Sequence, residues 1–307
     1  MGQTSSPPPW QKSQEARFAA ALAAVSAALI AVIVLKGPAQ SGERPLGDEH
    51  ALKAIQQRLK TRHRNHAAAA VDQACRRYDC TCVVAAAKAG LDADGGKELR
   101  ELLDAAKACP EKDQLEGMRA EALVRAGAKA DGVSAAAAVL KAAPSDPYAL
   151  GAVALAAYLE AGAAQAVGPA QAAVTAGRGD GGSFLFGLVE LALGDLARAR
   201  AGFEAVLRSE PEDTDALYNL AVVAQKQDRY GEARRLYLDV LRLEPRQKEA
   251  RFNLGILTHS IGAQDEANHH LAKLEAVAPG DPLVASLRAT LATPAHPPGQ
   301  VLKLGQP

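Results

Sequence analysis

Four cysteines concentrated in one segment are the residues of this chain whose type and spacing could do chemistry. They are Cys75, Cys80, Cys82 and Cys109. An even number of thiols in a short segment favours one or two disulfides, which would place this region outside the reducing cytosol. Reduced buried thiols are one alternative, and a tetrahedral zinc site that adds His63 or His66 is another. Because the spacing lacks the usual two-residue knuckle, the sequence predicts disulfides and no metal site.

Other chemical motifs are incomplete. The run Asp92-Ala93-Asp94-Gly95 is similar to the start of a calcium loop, but Lys97 and Leu103 stand where glycine and the closing acid are required. We interpret it as a turn between helices. The histidines His259 and His269-His270 lack the His and Glu spacing of a zinc hydrolase and are expected on the surface or in the groove of a repeat helix. The sequence therefore predicts that the protein is not an enzyme and carries no cofactor.

Composition indicates which elements position these residues. Of the 307 residues, 48% are hydrophobic and only 4% are aromatic, with alanine dominating the apolar share. Cores built from small residues require close contact between helices, so the composition favours an all-α protein. With 35 basic and 35 acidic residues, the chain has no general attraction for nucleic acid.

Prolines mark a repeat. They stand at Pro110, Pro144, Pro211, Pro245 and Pro279, with successive gaps of 34, 67, 34 and 34 residues. Because 67 is one residue short of two periods, a single register runs from 110 to 279 and lacks one proline near Arg178. Proline ends a helix, since it has no amide proton, and each proline therefore marks the same joint of a repeated unit.

Residues 180–281 contain the strongest units of this register. Small and bulky residues alternate at equivalent places of these units. The small residues are Gly187, Ala221 and Gly255 in the first half of each unit and Ala199, Ala233 and Ala267 in the second half. The bulky residues are Phe203, Tyr237 and Leu271. The small residues allow two antiparallel helices to approach closely, and the bulky ones fill the gap to the next hairpin. The pattern resembles the tetratricopeptide repeat of 34 residues. The resemblance implies an α-solenoid of helical hairpins whose inner groove binds a protein or peptide.

Upstream the repeat is degenerate. In the unit 147–179, Gly168-Pro169 is expected to interrupt the second helix, and the glycines of 177–182 are expected to loosen the next joint. We expect a hinge there between two halves. Further upstream, residues 48–77 are predicted to form a longer helix.

Transferred onto this sequence, the resemblance predicts a partner-binding groove. Its residues are Phe184, Leu188, Tyr218, Asn219, Val222, Gln225, Lys226, Phe252, Asn253, Ile256 and His259. Phe184, Tyr218 and Phe252 are 34 residues apart, so stacking would align them as an aromatic row. The alternative is that each ring packs against its neighbouring hairpin. Asn219 and Asn253 are expected to bond a ligand backbone.

A charge-free stretch precedes the repeats. Residues 18–35 lie between Arg17 and Lys36, and as a helix they would span roughly 27 Å, about one hydrocarbon core. This predicts a single-pass transmembrane signal-anchor; a cleaved signal peptide and a buried soluble helix are the alternatives. Basic residues flank both sides, so orientation depends on the cysteines, and disulfides would place the repeats in a periplasm-like space.

The predicted organisation follows from these segments. It comprises a polar tail (1–17), a transmembrane anchor (18–35), a linker (36–47), a helical region with the cysteines (48–112), degenerate repeats (113–179), three tetratricopeptide-like repeats (180–281), a capping helix (282–292) and a disordered tail (293–307). The predicted function is a membrane-anchored scaffold that binds a protein or peptide during assembly of an envelope complex. A self-associating structural protein, or a regulatory subunit of a separate enzyme, is the alternative.

Overall fold

The computed structural model describes residues 53, 55–57, 60, 65–75, 80–92, 96–105, 109 and 112–293. Within them all regular structure is helical. The helices are α1 (Asn65–Ala74), α2 (Cys80–Asp92), α3 (Gly96–Ala105), α4 (Lys112–Arg125), α5 (Lys129–Ala142), α6 (Pro147–Ala161), α7 (Ala163–Thr175), α8 (Asp180–Leu193), α9 (Leu196–Ser209), α10 (Thr214–Lys226), α11 (Tyr230–Leu243), α12 (Lys248–Ser260), α13 (Gln264–Val277) and α14 (Pro282–Leu291).

From α4 onward the helices pair as hairpins in the register that the prolines mark. The pairs are α4/α5, α6/α7, α8/α9, α10/α11 and α12/α13, and α14 packs on the last pair. Second helices contact the first helix of the next hairpin, while successive first helices also approach one another from α4 to α10. This closer approach makes the first-helix side the inner side of the array. The predicted all-α solenoid is therefore confirmed.

Aspartates begin several first helices. The Asp146 carboxylate accepts hydrogen bonds from the amides of Tyr148 and Ala149 at 3.1 and 2.7 Å. Asp213 and Asp281 cap α10 and α14 in the same way, at 2.8 and 2.9 Å. Each carboxylate satisfies amides that have no partner within the helix, which fixes where the first helix of a unit starts.

Within a hairpin, glycine sets the distance between the two helices. A β-carbon added to Gly202 would lie 2.8 Å from the Cα of Gly187, and one added to Gly187 would lie 2.8 Å from the Phe203 ring. Phe203 is fully buried in the space that these glycines leave. The predicted role of Gly187 in close helix approach is thus confirmed.

Ion pairs connect neighbouring second helices on the outer side. Arg200 bonds the carboxylate of Glu232 at 2.9 and 3.1 Å, and Arg234 bonds Glu266 at 3.0 Å. Both arginines and both glutamates are related by the 34-residue period. The same pairing therefore joins α9 to α11 and α11 to α13.

The degenerate unit corrects two expectations. Helix α7 continues through Pro169 instead of breaking. Proline has no amide proton, so the carbonyl of Gln165 loses its donor; Gln165 is exposed, and water can replace the bond. Gly168, which precedes Pro169, has no β-carbon to clash with the proline ring. The second expectation is corrected only for Gly181 and Gly182, which are buried against Arg178. Gly177 and Gly179 are exposed, with no atom within 4 Å of an added β-carbon.

The predicted membrane segment 18–35, both terminal tails and the linker 36–47 lie outside the described residues, apart from Thr293. Residues 48–77 are described in part, and α1 lies within them. Among the helices that the structure describes, none has the length and apolar content to cross a bilayer.

Candidate functional site

The inner face of the repeats presents a strip of apolar side chains that other elements cover only partly. Phe184 and Leu188 lie one turn apart on α8, Tyr218 lies on α10, and Ile256 lies on α12. All four side chains are half-buried, and their buried sides join the clusters between hairpins. We call these four residues the inner strip. It comprises the apolar part of the predicted groove that a partner could contact.

The aromatic members of the strip lean on the second helix of their own hairpin. Phe184 contacts Phe203 edge to face with ring centroids 5.7 Å apart, and Tyr218 lies 6.0 Å from Tyr237. The row is therefore a half-buried surface of the hydrophobic core, and these ring contacts are made within one hairpin, whereas the alternative interpretation named the neighbouring hairpin. Its rings are held in fixed positions, so they present a shaped surface instead of mobile side chains.

Phe252 and Val222 do not belong to the accessible surface. Phe252 is only 6% exposed, because it packs with Leu274, Val284 and Leu287 beneath the final helix. Val222 is buried among the side chains between α10 and its neighbours. Both predictions are corrected: these residues support the strip from below and cannot contact a ligand in this conformation.

The two asparagines also use their amides internally. Asn219 is buried and donates to the Asp215 carbonyl of its own helix at 2.8 Å. Asn253 donates to the Tyr218 hydroxyl at 2.9 Å, which joins α12 to α10. Asn219 is thus wrongly predicted as a ligand contact. Asn253 is half-buried and orients Tyr218.

Gln225 and His259 are held by neighbouring side chains. The Tyr237 hydroxyl donates to the Gln225 side-chain oxygen at 2.9 Å, and burial raises the pKa of Tyr237 well above its ordinary value. His259 is 5% exposed and its Nδ1 lies 2.8 Å from the Gln264 side-chain oxygen, so the predicted surface position is corrected. The remaining predicted residue, Lys226, is exposed at the end of α10.

The cysteines form two disulfides, Cys75–Cys82 and Cys80–Cys109. The first joins the residue after α1 to α2, and the second joins the start of α2 to the connection between α3 and α4. With all four thiols paired, none is available to bind zinc in this structure. Among the described residues, no group of three or more His, Cys, Asp and Glu side chains is placed to hold a metal ion.

The structure also contains a buried charge cluster that sequence reasoning did not find. The Arg178 side chain is 1% exposed and bonds Glu121 at 2.6 Å and Asp92 at 2.8 Å, with its guanidinium 4.8 Å from the Tyr148 ring centroid. The one available signal in the sequence was that Arg178 stands where the 34-residue register expects a proline, because this shows that the turn before α8 differs from the other turns between repeats.

Comparison with known proteins agrees with this architecture. Residues 184–239 and 222–282 match the model of a tetratricopeptide repeat family. The chain therefore carries tetratricopeptide repeats, a class of repeat through which proteins bind protein or peptide partners. No curated protein matches the chain.

Solved structures share the fold. The chain is similar to YrrB, described as a tetratricopeptide repeat protein with an unusual peptide-binding site, with a TM-score of 0.52, 16% identity, and coverage of 61% of this chain and 97% of YrrB. It is also similar to PilF from Pseudomonas aeruginosa, with a TM-score of 0.52, 15% identity, and coverage of 59% of this chain and 84% of PilF. A third similar structure is MamA from Desulfovibrio magneticus RS-1, with a TM-score of 0.50, 18% identity, and coverage of 55% of this chain and 97% of MamA. At these identities the likeness establishes the fold alone. The family and structural matches indicate no enzyme family.

Proposed function

We propose that this protein is a scaffold that binds a segment of a partner protein on the inner face of its repeats. The observation that carries the proposal is the inner strip, where Phe184, Leu188, Tyr218 and Ile256 remain half-exposed on adjacent first helices. Apolar side chains that stay partly in water on one continuous face are typical of surfaces that bind a partner.

The chemistry of the strip suits an internal apolar segment of a partner. Lys226 is the exposed cation on α10, and Asn253 and Gln225 already bond Tyr218 and Tyr237. Capture of a terminal carboxylate requires several converging basic donors, which the predicted groove residues do not supply. A partner helix or extended segment with apolar side chains is the ligand class that fits.

The proposal includes a location. Residues 18–35 would anchor the chain in a membrane, with the repeats on the extracytoplasmic side and a role in assembling an envelope complex. The disulfides Cys75–Cys82 and Cys80–Cys109 support an oxidising compartment, since cytosolic reductants keep thiols reduced. Membrane fractionation followed by protease treatment of cells whose outer membrane has been removed tests this part. Release into the soluble fraction, or full protection of the repeats from external protease, would contradict it.

Affinity capture from membranes with matched variants tests the binding site. Leu188→Ala combined with Tyr218→Ala removes the centre of the strip, and Leu238→Ala removes an apolar side chain that is 38% exposed on the second helix α11. We expect the first variant to lose the co-purifying partner and the second to retain it, with helical circular dichroism unchanged in both. Equal capture by all three proteins would reject the inner face as the site. A dimer mass for the purified protein without partner would favour self-association.

A further inference from the structure

The N-terminal hairpin, formed by α1 and α2, is fastened to the repeats far along the chain. Glu210, which is 3% exposed, accepts hydrogen bonds from the backbone amides of His66 at 3.1 Å and Ala67 at 2.5 Å. The His66 ring also bonds the Ser209 carbonyl. Amides in the first turn of a helix have no partner within the helix, and a carboxylate there is favoured by the helix dipole. Glu210 therefore caps α1 from 143 residues away.

A second contact fastens the other end of the hairpin. Asp92, the last residue of α2, lies 2.8 Å from Arg178, in the turn before α8. A β-carbon on Gly181 would be only 2.3 Å from the Asp92 carboxylate, so α2 ends directly against the first turn of α8. Arg178 and Glu210 belong to consecutive turns between repeats. The hairpin thus spans from one turn to the next.

This attachment is specific to one turn. Glu244 stands where Glu210 does, one period later, and its carboxylate accepts a hydrogen bond from the Thr214 hydroxyl at 2.5 Å instead of from another helix. A further period on, the position is Ala278, which has no carboxylate. The capping of α1 therefore depends on Glu210 and not on a general property of the repeats.

The N-terminal hairpin lies against the end of α8 from which the inner strip begins. Gly181, Phe184 and Leu188 follow the spacing of one helical face, and Asp92 stands over the first of them. We propose that the N-terminal hairpin is an intramolecular cover, held by Glu210 and Arg178, that closes the Gly181 end of the inner strip. Its release would lengthen the surface open to a partner, so this inference rests on the proposed function.

Amide hydrogen exchange in the full-length oxidised protein, without partner, tests the cover. In Glu210→Gln and Glu210→Ala we expect the His66 and Ala67 amides to exchange about tenfold faster, the usual effect of losing a helix cap. The amides of Gly181 to Phe184 should exchange faster too, because α2 no longer shields them. Glu244→Gln is the matched control and should leave both regions unchanged.

Two results would overturn the inference. If the α1 amides of Glu210→Ala exchange at the wild-type rate, Glu210 does not hold the hairpin. If they exchange faster while Gly181 to Phe184 do not change, the hairpin is attached but covers nothing. Neither outcome bears on partner capture by Leu188 and Tyr218, so a failure of the cover is distinct from a failure of the proposed function.

Discussion

Arg178 and Glu121 form a buried two-point ion pair between residues 57 positions apart, with Nε to Oε2 at 2.6 Å and Nη2 to Oε1 at 2.9 Å. Burial alone would raise the pKa of Glu121, but the charges of Arg178 and Arg125 outweigh it and hold the pKa below its ordinary value. The carboxylate is therefore charged. Because Arg178 also bonds Asp92, one side chain connects α2, α4 and the turn before α8.

Replacing Arg178 by methionine tests the strength of this connection. The change leaves Glu121 and Asp92 without their shared cation, and breaking a buried pair costs about 3–5 kcal/mol of unfolding free energy. Urea unfolding measures the loss. The control is Arg242→Met, whose side chain is 62% exposed and whose ion pairs are 3.9 Å long; surface pairs contribute about 0–1 kcal/mol. Equal losses in the two variants would contradict the assigned role.

Gly187→Ala probes the close approach of α8 and α9. The added methyl would meet the Phe203 ring at 2.8 Å, and overpacking of this kind costs about 1–3 kcal/mol. Adding Phe203→Leu should recover part of the loss. Leu193→Ala is the control, because this side chain is 45% exposed at the end of the same helix α8; it should change the unfolding free energy by less than about 0.5 kcal/mol. Destabilisation by both changes would refute the packing argument.

A double-mutant cycle at Arg200 and Glu232 measures the ion pair that joins neighbouring second helices. Burial raises the pKa of Glu232, but its hydrogen bonds and charge contacts with Arg200 lower it below the ordinary value overall. We expect a coupling of about 0.5–1 kcal/mol in thermal unfolding, reduced at high salt. The pair Arg242 and Glu212, 3.9 Å apart on exposed side chains, should show almost none. A coupling that does not respond to salt would point to packing instead of charge.

His270 should make the last repeat sensitive to acid. The side chain is 5% exposed, neither ring nitrogen has a hydrogen-bond partner, and Glu266 is 3.6 Å away. Burial lowers the pKa of His270 below the ordinary 6.5, and the nearby charges of Arg251 and His269 lower it further. Glu266 raises this pKa, but its effect is smaller. The unfolded chain therefore binds the proton first, so stability is complete above pH 6.5 and falls as the pH drops toward the folded pKa.

The substitution His270→Leu should remove this part of the acid sensitivity. Melting temperatures between pH 7 and pH 5 should then fall less steeply than in the wild type, because no buried imidazole has to take up a proton. His269→Leu changes the exposed neighbour and is the control. If the two variants and the wild type lose stability in parallel, His270 is not the group responsible.

Replacing Cys80 and Cys109 by alanine should loosen the N-terminal helices and leave the repeats folded. The disulfide closes a loop with a sequence separation of 29, and loop-closure entropy for that length corresponds to about 3–4 kcal/mol. In a solenoid each hairpin is stabilised by its neighbours, so the loss should remain local. Hydrogen exchange should accelerate in α1 to α3 and not in α10 to α13. A uniform acceleration would show that the whole array unfolds as one unit.

The period of the prolines was enough to predict the hairpins, because a helix-ending residue at a fixed interval constrains backbone structure locally. Gly187 was likewise assigned correctly, since its contact with Phe203 lies within the same repeat. Phe203 and Tyr237 were predicted to fill the gap to the next hairpin, whereas their ring contacts are with Phe184 and Tyr218 of their own hairpin. The same period made Phe252 equivalent to Tyr218, although only Phe252 is buried. The reason is the residue that contacts each ring from the following helix. Tyr218 is contacted by Asn253, whereas Phe252 is contacted by the equivalent Leu287, which is apolar and packs over the ring.

Contacts over long sequence distances were beyond prediction. Arg178 meets Asp92 and Glu121 from 86 and 57 residues away, and Glu210 meets α1 from 143 residues away. No periodicity specifies such pairs, because each joins elements that lie far apart along the chain. The backbone conformation of Asp228 was also not predicted, although its contacts are local. It adopts φ of 58° where Gly194 and Gly262 stand in neighbouring repeats, and the Tyr230 hydroxyl bonds its side chain at 2.6 Å.

The capping of α1 by Glu210 determines how a mechanical load would enter the molecule. Tension applied to the chain ahead of α1 meets the hydrogen bonds from His66 and Ala67 to Glu210, in the middle of the array. Both hydrogen bonds must break before α1 separates from the turn that carries Glu210. We therefore expect a load from the N-terminal side to reach the turn between the third and fourth hairpins before it reaches the repeats on either side.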